Sequence, residues 1–217
     1  MSYRSVLDAI AGAAERVGRR REEVTLVAVS KSQSPAAVLA VYQEGHRDFG
    51  ENRAGEMADK AAVLPTDIRW HFVGALQTNK TRLVRPITTL LHSLDRRSLA
   101  LAWLKGAGMP PPVLVQINLG DESQKAGVPE NRALAMVEMA QVLGLEVRGV
   151  MAIPPISDNP ESSRPYFRRL QEIGSEVRHR FPTADQLSMG MTDDFEVAIE
   201  EGASIIRVGR AIFGPRK

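Results

Sequence analysis

A (β/α)8 barrel of TIM type, with one extra helix in front and its last helix cut short, is the fold this sequence predicts. Three observations point to it. Short apolar runs alternate with amphipathic segments along the whole chain. The best of these runs carry no polar alternation, as strands buried on both faces do. Eight strand-then-helix units can be counted, the eighth with only a stub before Lys217. Eight such units close on themselves. An open doubly wound sheet would show the same alternation, so strand order decides between them. Nothing reads as a linker, and residues 1–217 are expected to form one domain.

The elements follow in order. Val6, Leu7, Ile10, Ala14 and Val17 share one helical face and Gly18 follows as a stop, so the chain opens on a helix without a strand of its own. The run Val24 to Ser30 then delivers Lys31 to a loop. Ser34 and Pro35 start a helix through Val38, Leu39, Val41 and Tyr42, closed by Gly45. Residues 47–50 are the second strand, and Asn52 is expected to cap a helix to about Leu64. Residues 69–74, 89–94 and 113–119 are strands three to five. Between them lie helices from about Gln77 to Val84 and from an Asp95 cap through Leu104. The polar loop Gly120 to Val128 leads to a helix carrying Met136, Met139, Ala140 and Leu143, stopped by Gly144. Strand six, 147–153, ends at Pro154 and Pro155, and a long helix from about Glu161 to Phe181 follows. A short strand at Leu187 and Ser188 leads to a helix capped by Thr192, with Asp193 and Asp194 at its positive end. The last strand is Ser204 to Val208. The surplus first helix should cover the gap left by the missing last one.

Composition excludes several function classes. A net charge of +2, with 43% hydrophobic and 25% charged residues, describes an ordinary globule and gives no basic surface for nucleic acid. The absence of cysteine rules out disulfides, thiolate metal sites and cysteine nucleophiles, and fits a reducing compartment. No apolar stretch approaches the roughly 18 residues of a membrane span. Residues 1–20 read as an amphipathic helix and not as a signal peptide, so the expected location is the cytoplasm, with no membrane partner. His71 has no second ligand at metal spacing and reads as a hydrogen-bonded barrel residue.

In a barrel the strand ends meet on one face. Lys31 ends the first strand, and a lysine half-withdrawn from water can offer a neutral amine to an aldehyde as a Schiff base. Gly190 and Gly209 fall after strands seven and eight, where barrels bind phosphate through backbone N–H groups. An amine and a phosphate cradle together suggest a phosphorylated aldehyde, either pyridoxal 5'-phosphate or a sugar phosphate. Arg207 shares the parity of Ile205 on the last strand. If both face inward, its guanidinium could reach a pyridine nitrogen, or instead form a buried ion pair with Glu51.

Seven blocks then carry a resemblance: LVAVSK (26–31), FGEN (49–52), HFVGALQTNK (71–80), QINLGDESQKAG (116–127), GVMAIP (149–154), LSMGMTDD (187–194) and IRVGRAIFG (206–214). In this order they resemble the pyridoxal phosphate homeostasis protein family, which is related to the N-terminal barrel of alanine racemase. The resemblance covers nearly the whole chain. It implies pyridoxal 5'-phosphate as the cofactor, with Lys31 as its Schiff-base lysine and the phosphate at Ser188, Gly190, Gly209 and Arg210. It further implies that Arg207 faces the pyridine nitrogen and Asn52 lies near the ring. Arg210 stands where many relatives have a small hydroxyl residue, so a backbone N–H contact would survive there and a hydroxyl contact would not.

Two functions fit these expectations. The first is a monomeric carrier that holds pyridoxal 5'-phosphate and passes it to apo-enzymes without turnover, so that no residue is catalytic. The second is a racemase-like enzyme, which needs an acid and a base on opposite faces of the ring. Tyr3, Tyr42 and Tyr166 fall on helices, away from the strand ends, which favours the carrier. Lys125, in the polar loop, is either a solvated charge or a second amine that visits the cofactor.

Overall fold

The computed structural model describes residues 2–120 and 126–214; Met1, residues 121–125 with Lys125, and residues 215–217 lie outside them. Eight parallel strands form a closed ring: β1 (Thr25–Val29), β2 (Asp48–Glu51), β3 (Arg69–Phe72), β4 (Thr88–Leu94), β5 (Val113–Asn118), then, after a two-residue strand β6 (Val128–Pro129), β7 (Val147–Ala152), β8 (Gln186–Ser188) and β9 (Ile205–Val208). Each pairs with the next, and β9 pairs back onto β1, with Arg207 opposite Val27. The β4–β5 pairing excludes an open sheet. β6, which lies in the stretch read as polar loop, pairs with Ile117 and Asn118.

Strand parity sorts every side chain into lumen or outer layer. Leu26, Ala28, Phe49, Trp70, Phe72, Val115, Ile117, Val150, Ile206 and Val208 point outward into the main core beneath the helices. Val27, Val29, Leu90, Leu114, Met151 and Ile205 fill the lumen. The lumen also has a polar sector, supplied by His71, His92, Ser188 and Arg207, all buried. Gly149 has no room for any side chain, since a Cβ there would lie 1.9 Å from the Gln186 carbonyl oxygen on β8.

The outer layer consists of α2 (Pro35–Gln43), α3 (Ala54–Ala61), α4 (Thr81–Val84), α5 (Arg97–Leu104), α6 (Ala133–Val142), α7 (Arg164–Arg180) and α8 (Phe195–Glu200), and α9 (Arg210–Phe213) is the stub expected last. The leading helix α1 (Tyr3–Arg16) does occupy the vacant place. It buries Val6, Ile10, Ala13 and Ala14, ties Arg16 to Glu196 and Glu200 of α8, and ties Arg4 to Glu44 after α2.

Three helix starts differ from expectation by one or two residues. Arg53, Arg96 and Asp194 hold the cap positions read as Asn52, Asp95 and Thr192. The segment after Gln77 begins as a 3-10 turn, Thr78–Lys80, before α4. In each case the polar side chain expected to cap a helix sits in the loop just before it, at the rim of the barrel.

Candidate functional site at the carboxyl rim

Lys31 follows β1 by two residues, in a tight turn that Gln33 N–H closes onto the Ser30 carbonyl. Ser32 takes φ 61, a left-handed conformation costly for any residue but glycine, asparagine or aspartate. Neighbouring groups hold this turn. Ser32 N–H donates to Glu56 Oε2 at 2.8 Å, and Ser30 N–H donates to the Gly50 carbonyl at 2.9 Å. Lys60 Nζ donates to the Ser30 carbonyl at 2.7 Å and to Glu51 Oε1 at 2.6 Å, while Ser30 Oγ donates to the same carboxylate oxygen at 2.6 Å. Burial pushes the Glu51 carboxyl up, against the pull of Lys60 and Ser30. Glu51 thus faces outward to Lys60, and the ion pair with Arg207 is not formed.

Arg207 does face the lumen, as its parity with Ile205 requires. Its Nη1 donates to Ser188 Oγ at 2.6 Å and its Nη2 to the Ala152 carbonyl at 2.9 Å. A guanidinium has five N–H donors, so these two bonds fix its plane without exhausting it. Burial draws its pKa down to about 10, opposed by Asp194. Beyond Ser188 lies His92, whose Nδ1 is 2.9 Å from Ser188 Oγ and whose Nε2 is 3.0 Å from His71 Nδ1; His71 Nε2 is 3.1 Å from Asp48 Oδ1.

Gly190, Thr192, Gly209 and Arg210 meet where the loop after β8 passes the loop after β9. Gly209 N–H points at Thr192 Oγ1 at 3.4 Å, and Arg207 N–H donates to the Gly190 carbonyl at 3.0 Å. Gly190 takes φ 89, and a Cβ on it would lie 2.5 Å from that of Ala198. Gly209 has an ordinary φ of −119, so its need is steric: a Cβ would lie 2.9 Å from the Val29 carbonyl oxygen. That contact places the β9–α9 corner beside the end of β1, two residues before Lys31. In α9 the Ile212 and Phe213 N–H groups donate to the Gly209 carbonyl, which leaves the N–H groups of Arg210 and Ala211 for an anion. Arg210 projects outward and pairs with Asp193, leaving only its backbone at the corner.

Ser188 does not join this group. Its backbone is held in the ladder between Met151 and Ile205, and its hydroxyl is held by His92 and Arg207. Thr192, assigned to capping, is instead the hydroxyl residue at the anion corner. Asn52 stands just past the end of β2, the neighbour of β1, against Gly74, whose missing Cβ would lie 2.7 Å from the Asn52 Cβ. Its Oδ1 is buried and has no hydrogen-bond partner, an acceptor waiting for a donor.

A cleft of about 250 Å³ opens at the rim between Val73, Gly74, Gln116, Asn118 and Ile153. A larger groove of about 770 Å³, lined by Lys80, Arg82 and Lys105 among others, lies outside the barrel between α4 and α5 and contains none of the expected site residues. The rim fits the expected cofactor on its own chemistry. It offers an amine on a fixed turn, a glycine-shaped anion corner beside it, a guanidinium in the lumen and one unpartnered buried acceptor.

Sequence reasoning placed Lys31 and the two glycines at the rim and Arg207 in the lumen, where the structure has them, because strand ends and parity mark them. It missed Thr192, Lys60, His92 and Asp48. His92 was detectable, since a histidine in the apolar strand 88–94 must point into either the lumen or the core. Lys60 lies on a helix and meets Glu51 only through tertiary packing.

The sequence model described as alanine racemase, N-terminal domain, matches residues 6–217. The pyridoxal phosphate homeostasis protein of Aquifex aeolicus is 42% identical over 218 residues, covering 98% of this chain and 96% of that one. The protein of the same name from Escherichia coli K12 is 39% identical over 222 residues, covering 97% and 94%. The structure of PipY from Synechococcus elongatus with bound pyridoxal phosphate superimposes with a TM-score of 0.79 at 30% identity, covering 96% of this chain and all of PipY.

Proposed function

The chain belongs to the pyridoxal phosphate homeostasis proteins, within the family of the alanine racemase N-terminal domain, and from that premise we propose that it binds pyridoxal 5'-phosphate, holds it reversibly on Lys31 and yields it to apo-enzymes. It does so as a cytoplasmic monomer and turns over no amino acid. The observation that carries this reading is the place of Lys31, on a turn braced from four sides and adjoining the glycine corner. When bound, the cofactor supplies an aldehyde that an amine can capture as a Schiff base. The chain's own residues do the rest. Gly190, Gly209 and the N–H groups of Arg210 and Ala211 would hold the phosphate, with Thr192 Oγ1 alongside. Arg207 would offer the ring nitrogen a guanidinium N–H, which would keep that nitrogen unprotonated and weaken the ring as an electron sink. Asn52 offers its buried oxygen at the ring edge.

The tyrosines support a carrier. Tyr42 Oη donates to Asp67, and Tyr3 Oη is engaged with His46, both on the outer layer, and Tyr166 lies on α7. None is placed as the second acid or base that racemisation needs. The purified protein should show a visible absorption that borohydride bleaches, with the reduced label on Lys31, and Lys31→Ala should be colourless yet folded. Label found wholly on Lys80 or Lys125 would overturn the assignment. Loaded protein should reactivate an apo pyridoxal-phosphate enzyme faster than free release allows, and should not exchange the α-proton of alanine at an enzymatic rate.

A further inference from the structure

The polar sector of the lumen does more than fill space. Donor and acceptor chemistry lets one direction run through all of it. Arg207 can only donate, so Ser188 Oγ accepts from it, and its own proton can point at His92 Nδ1. His92 Nδ1 is then an acceptor, its proton sits on Nε2, and that N–H donates to His71 Nδ1. His71 in turn carries its proton on Nε2 and donates to Asp48 Oδ1. Asp48 ends the series as a carboxylate, gripped by the Nε and Nη2 donors of Arg69. In this arrangement all the bonds point the same way, from a buried cation to a carboxylate near the opposite mouth of the barrel, and each imidazole accepts at Nδ1 and donates from Nε2.

We infer that Arg207, Ser188, His92, His71 and Asp48 form a one-way hydrogen-bonded relay through the lumen, in which Ser188, His92, His71 and Asp48 act as positioning residues for the Arg207 guanidinium and thereby for the ring it meets. This rests on the reading of Arg207 as the ring-nitrogen partner. The geometry supports a shared device over separate packing contacts. Five strands (β9, β8, β4, β3, β2) each contribute one member, the bonds are 2.6–3.1 Å, and no member has a second side-chain acceptor competing for its proton. The charged groups around it are Arg69 at the Asp48 end and Asp194 near Arg207. Burial, then His71 and Arg207, hold His92 neutral. Burial would raise Asp48, but Arg69 and His71 outweigh it and hold the carboxyl well below its usual range.

Nitrogen-15 NMR of the ligand-free protein tests the relay directly. The expected result is an Nε2–H tautomer for both His71 and His92, with Asp48→Asn changing the His71 signal and Ser188→Ala changing the His92 signal. An Nδ1–H tautomer at either ring overturns the relay, whatever the cofactor does. Titration with pyridoxal 5'-phosphate tests the positioning role. Ser188→Ala and Asp48→Asn should each weaken binding by about tenfold and shift the visible absorption of the bound cofactor, while Ser188→Thr, which keeps the hydroxyl, should restore both. Wild-type affinity and absorption in Ser188→Ala, with the fold intact by circular dichroism, would sink the positioning role. If Arg207→Gln also left affinity and absorption unchanged, the failure would instead lie with the assignment of Arg207 to the ring.

Discussion

The turn that carries Lys31 is set in place by a buried ion pair beneath it. Lys60 and Glu51 are almost wholly enclosed, with side chains 6% and 0% exposed, and together they hold Ser30 through both its carbonyl and its hydroxyl. Buried pairs of this kind add little over a well-packed apolar substitute but are costly to break from one side. Lys60→Ala should therefore destabilise the fold by about 3–5 kcal/mol, since it leaves the enclosed Glu51 carboxylate without its cation. A combined Lys60→Met, Glu51→Gln protein should recover much of that loss in urea denaturation. It should still react with the cofactor more slowly, because the turn at Ser32 has lost a brace. A single variant as stable as wild type would show that the pair is not ionised in the fold.

Between elements, the decisive contact is the corner where β9 turns into α9 and meets the end of β1. Gly209 is required there by the Val29 carbonyl, a backbone atom that cannot swing aside. Gly209→Val should displace the strand that delivers Lys31 as well as crowd the anion, so both phosphate affinity and Lys31 labelling should fall. Arg210→Ala should alter either one at most twofold, since its side chain is exposed and paired with Asp193. Strong loss in Arg210→Ala with none in Gly209→Val would mean that the anion is held by a side-chain clamp. The sequence showed that a glycine stands at this place; that it is needed for close approach and not for a left-handed backbone depends on the neighbouring strand.

At the scale of the whole barrel, burying histidines and carboxylates in and around the lumen makes stability depend on pH in a definite direction. Burial holds His92 and His46 below their ordinary 6.5 in the folded protein. The unfolded chain therefore takes up more protons than the fold as pH drops below 6.5, and stability declines. The depressed Asp48 carboxyl acts in the same sense further into acid: its contribution is present above the unfolded value of 3.8 and is lost below it. Unfolding free energy measured against pH should be flat above about pH 7 and fall through the histidine range. His92→Gln should flatten that fall by about 1.4 kcal/mol per pH unit. An unchanged slope would mean that His92 is protonated in the fold.

The sequence by itself determined the strand-and-helix order, the inward parity of Arg207 beside Ile205, the rim position of Lys31 and the glycines of the anion corner. These are local properties. Apolar runs, alternation along a strand and punctuation by glycine and proline each act within a few residues. Strand order could not be read from the chain, and only the β4–β5 pairing closed the sheet into a barrel. Closure then decided the rest. It put His71 beside His92 from the next strand, Ser188 between His92 and Arg207, and Lys60 under the turn of Lys31. The reason is physical: a buried polar side chain must find a partner, and in a closed barrel that partner is a lumen or outer-layer neighbour up to 96 residues away in sequence.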